Sequence, residues 1–104
     1  MYRKGRSVST RYLVLYSFPR EEEPEGEARL GLAVSRQLGG AVERNRVKRR
    51  LRAAFDEIRE ALPAGHDYVL IARPGLTEAI ESCGFAWLSE RVAEVFRLAE
   101  GARA

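Results

Sequence analysis

The chain has 104 residues, of which 45% are apolar, and this is enough for one domain with a modest hydrophobic core. Its single cysteine, Cys83, excludes an intrachain disulfide and a cysteine-based zinc site. No apolar run approaches the roughly 18 residues of a membrane-spanning helix. We therefore expect one domain, residues 1–104, that works in a reducing cytoplasm without contact to a membrane.

The net charge is only +3, but the charges are segregated along the chain. Residues 1–20 carry five bases and no acid, whereas residues 21–28 carry five glutamates and no base. Residues 29–52 carry eight bases against one acid, and residues 53–104 carry nine acids against five bases. A basic band beside acidic flanks is typical of a nucleic-acid-binding protein.

Three strands are predicted. The first covers residues 8–18, which are rich in valine, threonine, tyrosine and leucine. An acidic loop at residues 19–27 connects it to a second strand at residues 28–35. The third strand, His66–Ala72, is nearly continuous in apolar residues, as expected for a central position in a sheet.

The longest predicted helix covers residues 41–62, where apolar residues recur at steps of three and four. They form one arc: Val47, Leu51, Ala54, Phe55, Ile58 and Leu62. A helical turn at residues 77–81 and a second amphipathic helix at residues 85–100 follow the third strand. The stripe of this second helix contains Phe85, Leu88, Val92, Val95, Phe96 and Ala99.

The order strand, strand, helix, strand, helix predicts an α+β fold, in which two helices pack on a small mixed sheet of three to four strands. The strand–helix–strand (βαβ) unit around the 41–62 helix should pair its two strands in parallel.

The charges of this helix run against its macrodipole. Its first half contains the bases Arg44, Arg46, Lys48, Arg49, Arg50 and Arg52, whereas the acids lie in its second half. Each misplaced end charge costs roughly 0.3–1 kcal/mol, so folding alone does not favour this order. Binding of an external anion would favour this order, because the cations and the free N–H groups of the first turn would both contact the anion. The alternative is a plain solvated face.

Residue types that would support catalysis by the chain itself are sparse. His66 is the only histidine, and we expect a structural or surface role for it rather than a catalytic one. Ser35 and Ser82 have no nearby base to activate them as nucleophiles. The sequence contains no metal-ligand spacing and no glycine-rich phosphate loop. We therefore predict no catalytic residue and no metal site in the protein.

Three segments in this order resemble the bacterial ribonuclease P protein component. They read RLGLAVSRQ, GGAVERNRVKRRLRAAF and GHDYVLIARPG, and the resemblance extends over almost the whole chain. It implies a protein that binds a large catalytic RNA and the 5′ leader of precursor tRNA. In that ribonucleoprotein the RNA removes the leader with Mg²⁺, which the RNA mainly binds, and no obligate protein partner is expected.

The resemblance also implies the binding residues by position. The RNA-facing residues would be Arg36, Arg44, Asn45, Arg46, Lys48, Arg49 and Arg52. The cleft for the leader would contain Tyr16 and, on a looser match, Tyr2 and Arg11. Without the resemblance, Tyr16 is better interpreted as a packing residue of a strand.

Two further features follow only from the resemblance. The crossover around the basic helix would be left-handed, against the general rule for βαβ units. The family's basic, aromatic N-terminal helix would be largely missing ahead of Gly5, which predicts weaker leader binding and lower stability than in a chain extended upstream.

Two other functions stay open at this point. A structural ribosomal protein of similar build would share the basic helix and bind rRNA, but it would have no effect that depends on a tRNA leader. A nuclease that works alone would need a carboxylate or histidine constellation, which the sequence does not offer.

Overall fold

The computed structural model describes residues 6–19, 26, 28–62 and 65–103, the last four of them as backbone only. Tyr2 and most of the predicted acidic loop lie outside the described residues. The elements are β1 (Arg6–Ser9), β2 (Leu13–Pro19), β3 (Arg29–Val34), α1 (Ala41–Ile58), β4 (His66–Ala72) and α2 (Leu76–Arg103).

The predicted first strand is in fact two strands, β1 and β2, which form an antiparallel hairpin. The chain turns at Thr10, whose backbone N–H donates to the Leu13 carbonyl at 2.8 Å. The Thr10 hydroxyl accepts a hydrogen bond from the Leu13 N–H at 3.2 Å. A threonine side chain thus supplies the local bonds of this turn, without the glycine, proline or asparagine that usually marks one. The sequence therefore suggested one continuous strand.

The four strands form one mixed sheet in the order β1-β2-β4-β3. The β2–β4 pair is antiparallel, and the β3–β4 pair is parallel. The predicted parallel βαβ unit around α1 and the central position of β4 are therefore confirmed, while the left hand of the crossover stays a prediction.

Both helices pack on one face of the sheet. Along β2 the side chains alternate, so that Leu13, Leu15 and Ser17 are buried. The apolar arc meets this face as predicted, with Val47, Leu51, Ala54 and Phe55 of α1 buried and Ile58 partly buried. The predicted helix end at Leu62 is wrong, because α1 ends at Ile58 and a 3₁₀ turn (Arg59–Ala61) leads to Leu62, which is also partly buried. At the centre the rings of Phe55, Tyr68 and Phe96 lie 4.9–6.5 Å apart, between centroids.

The helical turn predicted at residues 77–81 and the helix predicted at residues 85–100 are both present, as the two parts of α2 on either side of a break. Leu76 and Ile80 are buried in the core. The helix is broken at Gly84, where φ is +88°, a left-handed conformation that glycine adopts without strain. Phe85, which follows the break, is 39% exposed and does not belong to the buried stripe. The rest of that stripe is buried as predicted: Leu88, Val92, Val95, Phe96 and Ala99.

Truncation of the α1 arc should destabilise the fold. Leu51 is fully buried, so Leu51→Ala should lower the free energy of unfolding by about 2–5 kcal/mol in a urea titration. The control is Val42→Ala on the same helix, because Val42 is 73% exposed and its truncation should change little. Equal midpoints for the two variants would mean that the α1 arc does not contribute to the core.

Candidate nucleic-acid interface

The helix that bears the basic cluster begins without a side-chain cap. Its N-cap is Gly40, so no side-chain oxygen accepts from the first-turn amides. The first helical hydrogen bond runs from the Arg44 N–H to the Gly40 carbonyl. Gly39 is required next to it, since φ is +128° and a Cβ there would lie 2.9 Å from the Glu43 Cβ. The first turn of α1 therefore keeps N–H groups that no cap uses.

The exposed cations of α1 lie on the side of the helix that faces away from the core, and the half-buried ones lie beside the apolar arc. We call this the basic surface, and it consists of Arg44, Asn45, Arg46, Lys48, Arg49, Arg50 and Arg52. Asn45, Arg46, Arg49 and Arg52 are exposed. Arg44, Lys48 and Arg50 are half-buried at its margins, next to the apolar arc.

No carboxylate within the described residues pairs with a cation of the basic surface. The ion pairs among the described residues lie outside the basic surface, as in Arg29–Asp67, Arg59–Asp56 and Arg91–Glu94. Six like charges on little more than two helical turns repel one another, and intramolecular pairing does not relieve this. An external polyanion would relieve it, which makes this surface the candidate site.

Further bases lie at the end of the sheet where α1 begins. The strand register pairs Leu13 and Val34 with Ala72 on either side of β4. The β1–β2 turn with Arg11 and the segment after β3 with Arg36 therefore reach the same end, and both side chains are exposed.

Arg73 lies at this end too, although the sequence pattern placed it in a plain turn and gave it no role. Its backbone N–H donates to the Tyr12 carbonyl at 2.9 Å. Its guanidinium donates to the Thr10 carbonyl at 3.0 Å, so it holds the hairpin turn against the end of β4.

The other face of the sheet carries an aromatic pair. Tyr16 is 38% exposed, and its ring stacks on that of Phe18 with an interplanar angle of 2° and centroids 6.3 Å apart. Their neighbours on this face in β4 are Val69 and Asp67. Phe18 was missed, although it shares the face of Tyr16 by the period of two residues in a strand.

The structure does not bring Arg11 to Tyr16. Arg11 lies in the turn at the end of the sheet, with its guanidinium 5.5 Å from the ring centroid of Tyr12. Tyr12 in turn packs edge-to-face against Trp87. Of the three residues that the resemblance implies for the leader cleft, only Tyr16 is described on the sheet face opposite the helices, since Tyr2 is outside the described residues.

The described residues offer little for bond-breaking chemistry. His66 is half-buried and stacks on Tyr68, with centroids 6.1 Å apart. No group of three or more histidine, cysteine, aspartate or glutamate side chains in the described part of the chain could hold a metal ion. Among the same residues, none of the helices is both long and apolar enough to cross a membrane.

Comparisons with known proteins agree on one family. The family model described as Ribonuclease P matches residues 1–100. The ribonuclease P protein component of Geobacillus thermodenitrificans is 40% identical over 101 residues, which are 97% of this chain and 78% of that protein. That of Bacillus cereus is 40% identical over 78 residues, which are 75% of this chain and 66% of that protein.

Solved structures show the same likeness. The RNase P protein from Thermotoga maritima has a TM-score of 0.78 and 30% identity, covering 88% of this chain and 81% of its own. The RNase P protein of Staphylococcus aureus has a TM-score of 0.75 and 30% identity, covering 93% of this chain and 83% of its own. The α+β architecture is therefore confirmed by both sequence and structure.

Charge reversal on the basic surface should affect polyanion binding and leave folding unchanged. We expect Arg49→Glu to shift the melting temperature by only a few degrees, because the side chain is exposed. In a titration with poly(U), the slope of log affinity against log salt should become shallower by about 0.7 for each phosphate that the helix no longer neutralises.

The matched control is Arg97→Glu, which makes the same charge change at an exposed position of α2. Its salt slope should stay at the parent value. Equal effects of the two variants would mean that net charge, rather than the basic surface, determines the affinity.

Proposed function

Because the chain belongs to the ribonuclease P protein family, we propose that it assists the RNA subunit in removing the 5′ leader from precursor tRNA. The chain is thus a protein component of the ribonuclease P ribonucleoprotein. In our proposal the RNA subunit performs the Mg²⁺-dependent hydrolysis, and the protein binds the RNA and the leader. We propose a cytoplasmic location for the same reason, since precursor tRNA is processed where it is made in bacteria.

The observation that carries this proposal is the basic surface of α1. Its cations have no carboxylate partner among the described residues, and the helix start beside them has no side-chain cap. Arginines bind phosphate in a bidentate manner and independently of sequence, which suits a folded RNA. We assign the contact with the RNA subunit to this surface, together with Arg36 at the adjacent end of the sheet.

We assign the leader to the sheet face opposite the two helices. A 5′ leader is single-stranded, so its bases are available for stacking on aromatic rings. The parallel rings of Tyr16 and Phe18 present such a platform on an inner strand of the sheet. Because stacking on a ring is tolerant of sequence, this platform would accept leaders of different sequence.

The protein would also lower the Mg²⁺ that the RNA requires. Where arginines neutralise phosphates, the RNA needs fewer divalent ions to hold the same phosphates close together. The effect of the protein should therefore be largest at low Mg²⁺.

The test is cleavage of a precursor tRNA by a bacterial ribonuclease P RNA at low Mg²⁺, with and without this chain. We expect the chain to stimulate cleavage at the mature 5′ end, and we expect no cleavage by the chain alone. Binding to rRNA with no stimulation would favour the structural rRNA-binding function instead. Cleavage without the RNA subunit would favour a nuclease that works alone.

The leader assignment makes a separate prediction. Tyr16→Ala should weaken binding of a precursor with a leader of several nucleotides by roughly 5- to 150-fold, the range expected when one base–aromatic stack is removed. A substrate with a one-nucleotide leader serves as the control and should bind the holoenzyme equally well with either protein. An equal loss for both substrates would mean that Tyr16 acts on the fold or on the RNA subunit.

A further inference from the structure

An open cleft lies between α1 and the break in α2. Its volume is about 420 Å³, and its lining residues are Arg46, Arg49, Arg50, Ala53 and Phe85. The four residues from α1 follow the helical spacing i, i+3, i+4 and i+7, so they lie on one side of that helix. The fifth residue, Phe85, comes from α2. We call this the Phe85 cleft.

Packing of the hydrophobic core does not explain why Phe85 is exposed. The side chain is 39% exposed, while every other residue of its predicted stripe is buried. It follows Gly84, where the helix breaks and where an added Cβ would meet nothing within 4 Å. The break therefore does not serve close packing at Gly84, and its consequence is an aromatic ring at the wall of an arginine-lined cleft.

We infer that the Phe85 cleft binds one unpaired nucleotide of the RNA subunit, with the base stacked on Phe85 and its phosphate on Arg49 and Arg46. This inference rests on the proposed function and extends the RNA-binding surface of α1 to a residue of α2. An aromatic face beside guanidinium groups is the combination by which proteins hold single-stranded nucleotides.

The size and walls of the cleft suit this occupant. Its volume falls within the roughly 300–1,000 Å³ of ligand-binding clefts. Ala53 is small and leaves room between the two helices. Neither a histidine nor a carboxylate is among the lining residues, so the charge of the cleft is positive.

A neighbouring depression indicates on which side of the Phe85 cleft the phosphate would lie. Arg46 and Arg50 also line that smaller depression, together with Glu43 and Glu81. These carboxylates would repel a phosphate on that side. The phosphate should therefore lie towards Arg49, which lines the Phe85 cleft but not this depression. The same arginines belong to the basic surface, whereas the Tyr16–Phe18 platform is on the opposite face of the sheet, so the occupant is the RNA subunit rather than the leader.

The experiment compares Phe85→Leu and Phe85→Tyr in binding to a bacterial ribonuclease P RNA without substrate. Leucine keeps the apolar volume and removes the aromatic face, so the dissociation constant should rise about 5- to 150-fold. Tyrosine keeps the aromatic face and should bind like the parent. Both variants should show the parent's salt slope, because the phosphate contacts remain.

Two readouts separate stacking from a structural role. The melting temperatures of the two variants should agree, and Leu98→Ala, which truncates a 47% exposed side chain elsewhere on α2, should leave the RNA affinity unchanged. Parent-like affinity of Phe85→Leu would overturn the inference and leave the proposed function intact. It would also be overturned if Phe85→Leu changed only self-association in sedimentation, since the cleft would then bind a second copy. If the parent chain itself did not bind the RNA, both proposals would fail.

Discussion

The burial of the α1 arc is the constraint on which the rest of the structure depends. Helix α1 carries six cations near its N-terminus and has no side-chain cap, so its own sequence gives it little helical stability. Its stability comes from tertiary packing, chiefly of Leu51 and Phe55 against the sheet. Because this packing uses one side of the helix only, the opposite side is free to concentrate charge at a density that an isolated helix would not tolerate.

The sheet, like α1, uses one face for core packing and leaves the other face for other contacts. Two helices cover one of its faces, and the hairpin β1–β2 extends it on the side away from β3. The described residues leave Tyr16 and Phe18 on the other face, where burial in the core does not require aromatic rings. One layer of buried side chains thus separates two surfaces of different chemistry, a cationic helix and an aromatic sheet face, which the proposed function assigns to two different RNAs.

Elements whose apolar residues recur with a regular spacing could be predicted from the sequence. Features that depend on a single contact between side chains or with the backbone could not. The arc of α1 and the central strand β4 follow from the spacing of apolar residues. The interruption before Phe85 was predicted, because a helical turn at residues 77–81 was separated from the helix at residues 85–100, and the structure places the break at Gly84. The turn at Thr10 depends on a hydroxyl that bonds to the Leu13 amide, which no composition signal reveals. Arg73 and Phe85 were missed for a related reason, since each acquires its surroundings only through a partner distant in the chain.

Under the proposed function, in which the RNA performs the hydrolysis, this architecture indicates how the protein would assist it. At the end of the sheet, Arg73 bonds to the hairpin, and the Thr77 hydroxyl donates to the Leu38 carbonyl at 3.3 Å. These bonds, with the packing of α1 on the sheet, fix the position of α1 relative to the sheet face that carries Tyr16. When the RNA subunit is bound to α1, the Tyr16–Phe18 platform would have a fixed position relative to that RNA. The protein would therefore hold the leader in an ordered position beside the RNA subunit. Association of the two RNAs then costs less entropy than it would between RNAs alone.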